Sequence, residues 1–324
     1  MLAETNAIIL AAGKGTRMKS DTIKVLHQVA GKKILSYVLD AVQACSPHIY
    51  VVVGYQAEQV QSAFRDLPIT FINQHEQLGT GHAVQQVIPF LEKSPLKDTL
   101  ILAGDCPLIK TSSLESLLTT HRNTNAAASI LTTVMDNPTG YGRIIRSKDN
   151  HIEGIIEQKD CSRSQATISE INSGIYVFNT SLLIENIANL QSNNNQHEYY
   201  LTDIIHLLNQ KGHTISGVIA DDYTEIIGVN TRNDLAKINA SVYDSNNASH
   251  MEQGVTIIDP KSTFIDSDVS IGYDTIIHPF TILTGKTTIG NHCEIGPYSY
   301  LKNCSVLDND VITHSITQTV NQNP

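Results

Sequence analysis

The sequence predicts an α/β fold, a mostly parallel sheet covered by helices on both faces, followed by a short parallel β-helix. Three observations carry that reading. Short apolar runs alternate with helix-periodic segments through the first two thirds of the chain. A glycine loop follows the first run, and from residue 265 onward aliphatic residues recur every six positions.

The predicted strands are 7–12 (AIILAA), 49–53 (IYVVV), 99–103 (TLILA) and 128–134 (ASILTTV), each short and rich in β-branched residues. Between them, Ile34, Leu35, Val38, Leu39 and Val42 keep helical spacing, as do Leu114, Leu117 and Leu118. Continuous apolar strands separated by helices indicate a parallel sheet buried on both faces. Such sheets bind ligands beyond the carboxyl ends of their strands. The loop at 13–15 and the stretch GDCPL at 104–108 fall at two of those ends.

From 234 to 252 the text turns into a polar, helix-like linker. Beyond it the aliphatic series is Ile265, Ile271, Ile277, Leu283, Ile289, Ile295, Leu301 and Leu307. Four residues after each stands a small or β-branched residue: Val269, Thr275, Thr281, Thr287, Cys293, Ser299, Ser305 and Val311. A hexapeptide period is the mark of a parallel β-helix, with the aliphatic residue inside and the small one near the corner. Eight repeats make fewer than three coils of about 18 residues, so an exposed end invites packing against copies of the same chain, as a trimer. The tail from Thr313 loses the period and is expected to close the coil. The expected domains are 1–235, a linker helix at 236–253, and the β-helix at 254–324.

With 324 residues the chain has room for about two domains of ~150 residues. At 41% hydrophobic and 17% charged residues it is ordinary globular material. A net charge of −10 disfavours a general nucleic-acid or membrane-surface binder. The start is nonetheless locally cationic: Lys14, Arg17, Lys19, Lys24, Lys32 and Lys33 face only Glu4 and Asp21 within residues 1–35. No secretory pattern and no apolar stretch of ~18 residues is present, so a cytoplasmic protein is expected. Five scattered cysteines without CxxC pairing read as reduced thiols.

The stretch LAAGKGTRMKS carries the chemistry. Glycines leaving a strand let backbone N–H groups approach phosphate oxygens, and Lys14, Arg17 and Lys24 add neutralising charge. The stretch is neither a Walker A loop nor GxGxxG. A glycine pair alone reads as a plain turn; four cations within a dozen residues turn the reading to phosphate binding.

LAAGKGTRMKS followed by KVLH resembles the sugar-nucleotide pyrophosphorylases, and among them the bacterial N-acetylglucosamine-1-phosphate uridylyltransferases. The resemblance continues through QHEQLGTGHA (74–83), GDCPL, GYGRI (140–144), EQKD (157–160), EINSGIY (170–176), EYYLTD (198–203), GVNTR (228–232) and GVTIIDP (254–260). It implies a Rossmann-like nucleotidyltransferase domain with a left-handed β-helix. It also implies transfer of UMP from UTP to N-acetylglucosamine-1-phosphate, with Mg²⁺ as cofactor.

Carried over by position, Leu10, Ala11, Ala12, Gly13, Lys14, Gly15, Gln74, Gly79 and Thr80 would hold the nucleotide. Gln74 would read the base, for which a carboxamide has the right donor and acceptor set. Arg17 and Lys24 would act on the reacting phosphates. Gly142, Glu157, Asn172, Tyr200 and Thr202 would contact the sugar. Asp105 and Asn230 would hold the metal, an oxygen pair suited to Mg²⁺.

Two positions depart from the family pattern: Ile23 stands where proline is common, and Ala103 where some members carry tyrosine. No positions match the acetyltransferase histidine or coenzyme A contacts of the bifunctional relatives, so one activity is expected. Other readings remain at this level: another sugar-1-phosphate or TTP as substrate, a hexapeptide acyltransferase, or a nucleotide-sensing scaffold.

Overall fold

The structure is a computed structural model, and it describes residues 4–318. The chain packs as two units, one of residues 1–26 and 35–228, the other of residues 27–34 and 229–324.

The elements begin with strand β1 (Thr5–Ala11), a small hairpin of β2 (Gln28–Val29) and β3 (Lys32–Lys33), helix α1 (Ile34–Gln43) and β4 (His48–Val53). Next come α2 (Ala57–Ala63), β5 (Thr70–Asn73), α3 (Thr80–Gln85), α4 (Ile88–Leu91), β6 (Asp98–Ala103), α5 (Thr111–Asn123) and β7 (Ala128–Val134). Strands β8 (Arg143–Arg146), β9 (Ile152–Ile156) and β10 (Glu170–Asn179), helices α6 (Thr180–Ile187) and α7 (Asp203–Gln210), and β11 (Ile215–Ile219) complete the first unit.

Its sheet runs β11-β7-β10-β6-β1-β4-β5, with β8 and β9 attached beside β10. Strands β6, β1, β4 and β5 are parallel, whereas β10 is antiparallel to both β6 and β7. The mostly parallel sheet is therefore observed, with one reversed strand in its middle. The four predicted strands are those of β1, β4, β6 and β7. Apolar side chains on both faces explain why they read as unbroken runs: Ile9, Val51 and Leu102 enter one core, Ile8, Val52 and Ile101 the other. The predicted helical positions Leu35, Val38, Leu39 and Val42 are all buried against the first of these cores. After β1 the chain moves to β4 on one side, and later to β6 on the other. The carboxyl end of β1 is thus a switch point of the kind that opens a ligand crevice.

In the second unit, helix α8 (Arg232–Glu252) starts at a capping box in which Thr231 and Asp234 satisfy each other's backbone N–H groups. The hairpin of residues 27–34 belongs here, although its sequence lies within the first predicted domain. Its turn needs Ala30 at φ 42° and Gly31 at φ 79°, and a Cβ at Gly31 would fall 2.3 Å from Asp266 Oδ2. Ala30 N–H donates to Asn239 Oδ1 at 2.9 Å, and Ser267 N–H donates to Ala30 O at 3.1 Å.

The coil that follows stacks short parallel strands in three columns, such as Phe264–Ile265 on Ile282–Thr284 on Tyr300–Lys302. Ile265, Ile277, Leu283, Ile295 and Leu301 fill the interior, while Thr275, Thr281 and Thr287 are buried at the corners. The expected eight repeats without slippage are corrected at the last one. Thr288 pairs with Ser305, so this coil is one residue short, and Val306 (7% exposed) takes the interior place while Leu307 is 74% exposed. Val311 likewise faces out, and Ile312 packs inward. The tail does not close the coil at Thr313, because Ile316–Gln318 adds another strand beside Tyr300–Lys302. Residues 319–324 of the predicted cap lie outside the described residues. Among the described residues, all five cysteines are free thiols, and no helix is long and apolar enough to cross a membrane.

Candidate active site

The first loop leaves β1 at Ala11. Gly15 has φ 60°, and a Cβ there would lie 2.9 Å from Lys24 Cβ, so both conformation and space require glycine. Gly13 has nothing within 4 Å of its would-be Cβ, and its backbone borders open space. Met18 (1% exposed) pins the following turn, its N–H donating to Gly15 O at 2.9 Å. Ile23 and Val25 are both buried in the core on either side of Lys24. At the position where the family resemblance leads one to expect proline, burial of Ile23 anchors this loop. The alternation leaves Lys24 pointing away from the core.

Lys24 Nζ forms an ion pair with Asp105 Oδ2, the two side chains being 17% and 16% exposed. Asp105 follows β6 by two residues, and Gly104 N–H, donating to Leu10 O at 2.9 Å, ties that end to β1. The Cys106 sulfur lies 3.5 Å from both Asp105 Oδ1 and Ile226 O, two acceptors for its single S–H. Burial, reinforced by the Asp105 charge, pushes this thiol well above its ordinary pKa. It therefore serves as a neutral donor that steadies the carboxylate, with no nucleophilic character. Gly228 closes on the same carboxylate: a Cβ there would lie 3.3 Å from its atoms.

The opposite wall comes from the segment after β5. Gln74 N–H donates to Val53 O at 2.7 Å, extending the parallel register by one residue. Residues 78–81 then zip against 199–201. Tyr199 N–H donates to Leu78 O, Gly81 N–H donates to Tyr199 O (both 2.8 Å), and Leu201 N–H donates to Thr80 Oγ1 at 3.1 Å. Gly79 has φ 110°, with Tyr199 O only 2.6 Å from a would-be Cβ.

These walls enclose a cavity of about 300 Å³ lined by Leu10, Ala11, Ala12, Gly13, Lys24, Gln74, Gly79, Thr80 and Asp105. Lys14 and Gly15 do not line it. Sequence reasoning missed two polar lining residues, Gln77 and Glu198. Both sit inside quoted motifs, QHEQLGTGHA and EYYLTD, and position within those motifs was the available signal.

Arg17 borders a second, polar cavity of about 500 Å³ with Gly140, Glu157, Gln158, Lys159 and Gln196. Near it, Gly142, Glu157, Asn172 and Thr202 come together. A Cβ at Gly142 would stand 3.4 Å from Asn172 Cβ and 3.6 Å from Glu157 Oε1, and Thr202 Oγ1 donates to Glu157 Oε1 at 3.4 Å. Burial raises the Glu157 pKa, the Thr202 hydrogen bond opposes it, and the charges of Asp160, Asp203 and Glu198 raise it further. Asn172 Nδ2 donates to Tyr176 Oη at 2.6 Å, and Tyr200 Oη accepts from Gln196 Nε2 at 2.6 Å. Arg143, 1% exposed, backs this cluster: its guanidinium donates to Tyr141 O, to Gln158 Oε1 at 2.7 Å and to Ala166 O at 3.3 Å.

Asn230 lies in the second unit, its N–H donating to Asp234 Oδ2 at 3.2 Å. Among the described residues, no group of three or more His, Cys, Asp or Glu could hold a metal ion. Asp105 itself suits Mg²⁺: a hard carboxylate on the cavity wall, held on one oxygen by a neutral thiol and on the other by an exchangeable cation.

Residues 7–164 match the MobA-like NTP transferase domain, and residues 261–312 match the bacterial transferase hexapeptide (six repeats). The chain is 46% identical over 313 residues to the bifunctional protein GlmU of Geobacillus sp. (strain WCH70), covering 96% of this chain and 67% of that one. The GlmU of Clostridium botulinum (strain Eklund 17B / Type B) is 45% identical over 311 residues, covering 96% and 68%. That of Mycolicibacterium smegmatis is 43% identical over 317 residues, covering 95% and 66%. The chain thus spans about two thirds of the length of these relatives. Among solved structures, a putative glucose-1-phosphate thymidylyltransferase from Bacillus anthracis, in complex with a sucrose, superposes with a TM-score of 0.60 at 18% identity. It covers 73% of this chain and 94% of its own, a likeness of fold.

Proposed function

Taking as premise that the chain belongs to the GlmU family and is a nucleotidyltransferase, we infer that it transfers UMP from UTP to N-acetylglucosamine-1-phosphate, releasing pyrophosphate. The observation that carries the reading is one cavity that joins the backbone of the first loop, the Lys24–Asp105 pair and the Gln74 carboxamide.

In this reading a phosphate oxygen of the sugar-1-phosphate attacks the α-phosphorus of UTP. The new P–O bond forms as the bond to the bridging α–β oxygen breaks, and pyrophosphate departs with that electron pair. No covalent enzyme residue is required, so the protein contributes position and charge. Lys24 turns from Asp105 to the α-phosphate, where negative charge concentrates in the transition state. Arg17 neutralises the leaving pyrophosphate. Glu157, Asn172, Thr202, Tyr200 and the bare backbone of Gly142 receive the sugar and its N-acetyl group. Asp105 would hold Mg²⁺, and the family resemblance adds Asn230 as a second ligand. That ion, when bound, would supply neutralisation of phosphate charge.

The same reading extends to assembly as a homotrimer through the β-helix. Phe280 and Tyr298, 55% and 59% exposed, stack with ring centroids 5.1 Å apart, and His314 continues the ladder. An exposed aromatic ladder on a solenoid face favours a partner of the same kind. Light scattering after size exclusion tests this, and a monomer at micromolar concentration contradicts it.

Pyrophosphate release measured over a grid of UTP, TTP, CTP and ATP against several sugar-1-phosphates tests the transfer. Release with UTP and N-acetylglucosamine-1-phosphate supports the reading; release only with another pair replaces its substrates, and none with any pair refutes it.

A further inference from the structure

Gln74 is 3% exposed, and its carboxamide is held at its nitrogen end. Nε2 donates to Gly79 O at 3.2 Å and meets His82 Nδ1 at 3.1 Å. A primary amide has two N–H donors, and these two contacts use both. Oε1 has no partner among the described residues, on a side chain that lines the cavity. The Gly79 carbonyl decides which end is nitrogen, because a flipped amide would set two oxygens against each other. That in turn decides the histidine. Nδ1 must accept, so the neutral ring carries its proton on Nε2. On the far side of the ring, Gln86 Nε2 lies 3.2 Å from His82 Nε2. Gln86 Nε2 also donates to the His82 carbonyl at 3.1 Å. Gln86 is half-buried, however, so water can replace that bond when its amide turns its oxygen to the ring N–H, whereas the buried Gln74 has no such replacement for its bond to Gly79 O.

We propose that His82 is a positioning residue that sets nucleobase specificity, holding Gln74 so that Oε1 is presented to the cavity as an acceptor for an imide N–H. The proposal rests on the reading of this cavity as the UTP site. Uracil and thymine carry that N3–H. Cytosine carries a bare N3, which would meet Oε1 lone pair against lone pair, and a polar site of this kind rejects a mismatched base more strongly than it rewards a matched one. The thymine methyl lies elsewhere on the ring, so TTP is accepted by this contact and CTP is refused. In the sequence, a single histidine without ligand spacing gives no functional signal.

The test measures kcat/KM for UTP, TTP and CTP by pyrophosphate release, on the full chain, for wild type, His82→Asn, His82→Gln and His82→Phe. An asparagine side chain places an acceptor where Nδ1 stands, a glutamine where Nε2 stands, and a phenylalanine supplies none. The expected result is that H82N keeps the preference for UTP over CTP. H82Q and H82F lose about tenfold of it through a higher KM for UTP, with kcat retained. A merely structural role lowers turnover with every nucleotide alike and leaves the ratio unmoved; that result overturns the proposal. So does a wild-type protein that uses CTP as well as UTP, or equal ratios in H82N and H82Q should H82F not fold. A wild type that is inactive with every pair overturns the transfer reading itself, which separates the two failures.

Discussion

Replacing Lys24 by methionine separates the stabilising role of its ion pair from its role in transfer. The flanking Ile23 and Val25 are 2% and 3% exposed, so the backbone direction persists and a methionine side chain follows the lysine stem. What disappears is the charge next to Asp105, where both side chains are less than one fifth exposed. At an effective dielectric of ~20 a contact pair is worth roughly 5 kcal/mol gross, and desolvation takes back most of it. The net loss is about 1–3 kcal/mol, between the values for surface and for buried pairs. That lowers Tm by roughly 3–10 °C and leaves the protein folded at 25 °C. Loss of a charge aimed at the transferring phosphorus costs far more, about 10²–10³-fold in kcat. Melting curves alongside steady-state pyrophosphate release with UTP and N-acetylglucosamine-1-phosphate read both quantities. A Lys24→Met variant whose kcat stays within about threefold of wild type, while its Tm falls as stated, makes Lys24 only a structural partner of Asp105 and refutes the mechanism.

Three other outcomes are expected. The Glu157 pKa is raised above its ordinary 4.5, so its contribution to stability is present below that value and is lost as pH rises through the folded-state value. Glu157→Gln should therefore melt higher than wild type at pH 7 and no higher at pH 4, while the KM for the sugar phosphate rises; equal melting points at pH 7 contradict this. Gly79→Ala forces a side chain to φ 110° with Tyr199 O at 2.6 Å, and should cost about 2 kcal/mol or more of stability and weaken UTP binding measured by calorimetry. Val306→Ser should destabilise the β-helix by about 1–2 kcal/mol, whereas Leu307→Ser should stay within about 0.5 kcal/mol. The reverse order in thermal melts contradicts the one-residue register shift.

The parts of the fold that the sequence revealed are those in which burial repeats regularly. Ile8 and Ile9, on opposite faces of β1, enter separate cores, so the strand reads as an unbroken apolar run. Leu35, Val38, Leu39 and Val42 keep one helical face. Regularity failed at Leu307, because adjacent Val306 is also aliphatic and a one-residue shortening of a turn leaves no trace in composition. The hairpin of residues 27–34 was hidden for a different reason. Two-residue strands around Ala30 and Gly31 carry no period, and their partners, Asn239 and Asp266, lie more than two hundred positions away.

In the candidate site, the motif positions Lys24, Gln74 and Asp105 meet at one cavity, which their spacing in the chain could not show. Glu198 arrives there through the backbone zipper between Leu78–Gly81 and Tyr199–Leu201, an arrangement made by main-chain groups that every residue type shares. Arg143 looks like a surface cation in sequence. It is buried with its two terminal nitrogens donating to three neutral oxygens, on Tyr141, Gln158 and Ala166, while Nε has no hydrogen-bond partner among the described residues.

The proposed reaction is transfer of a nucleotidyl group from a nucleoside triphosphate to a sugar phosphate at the Lys24–Asp105 cavity, with release of pyrophosphate. The most direct measurement is pyrophosphate formation by wild type and Asp105→Asn, each with UTP and Mg²⁺, with and without N-acetylglucosamine-1-phosphate. The account predicts pyrophosphate from wild type only when the sugar phosphate is present, and a loss of about 10²-fold or more in the variant. Pyrophosphate release that is independent of the sugar phosphate, or undiminished in Asp105→Asn, would contradict it.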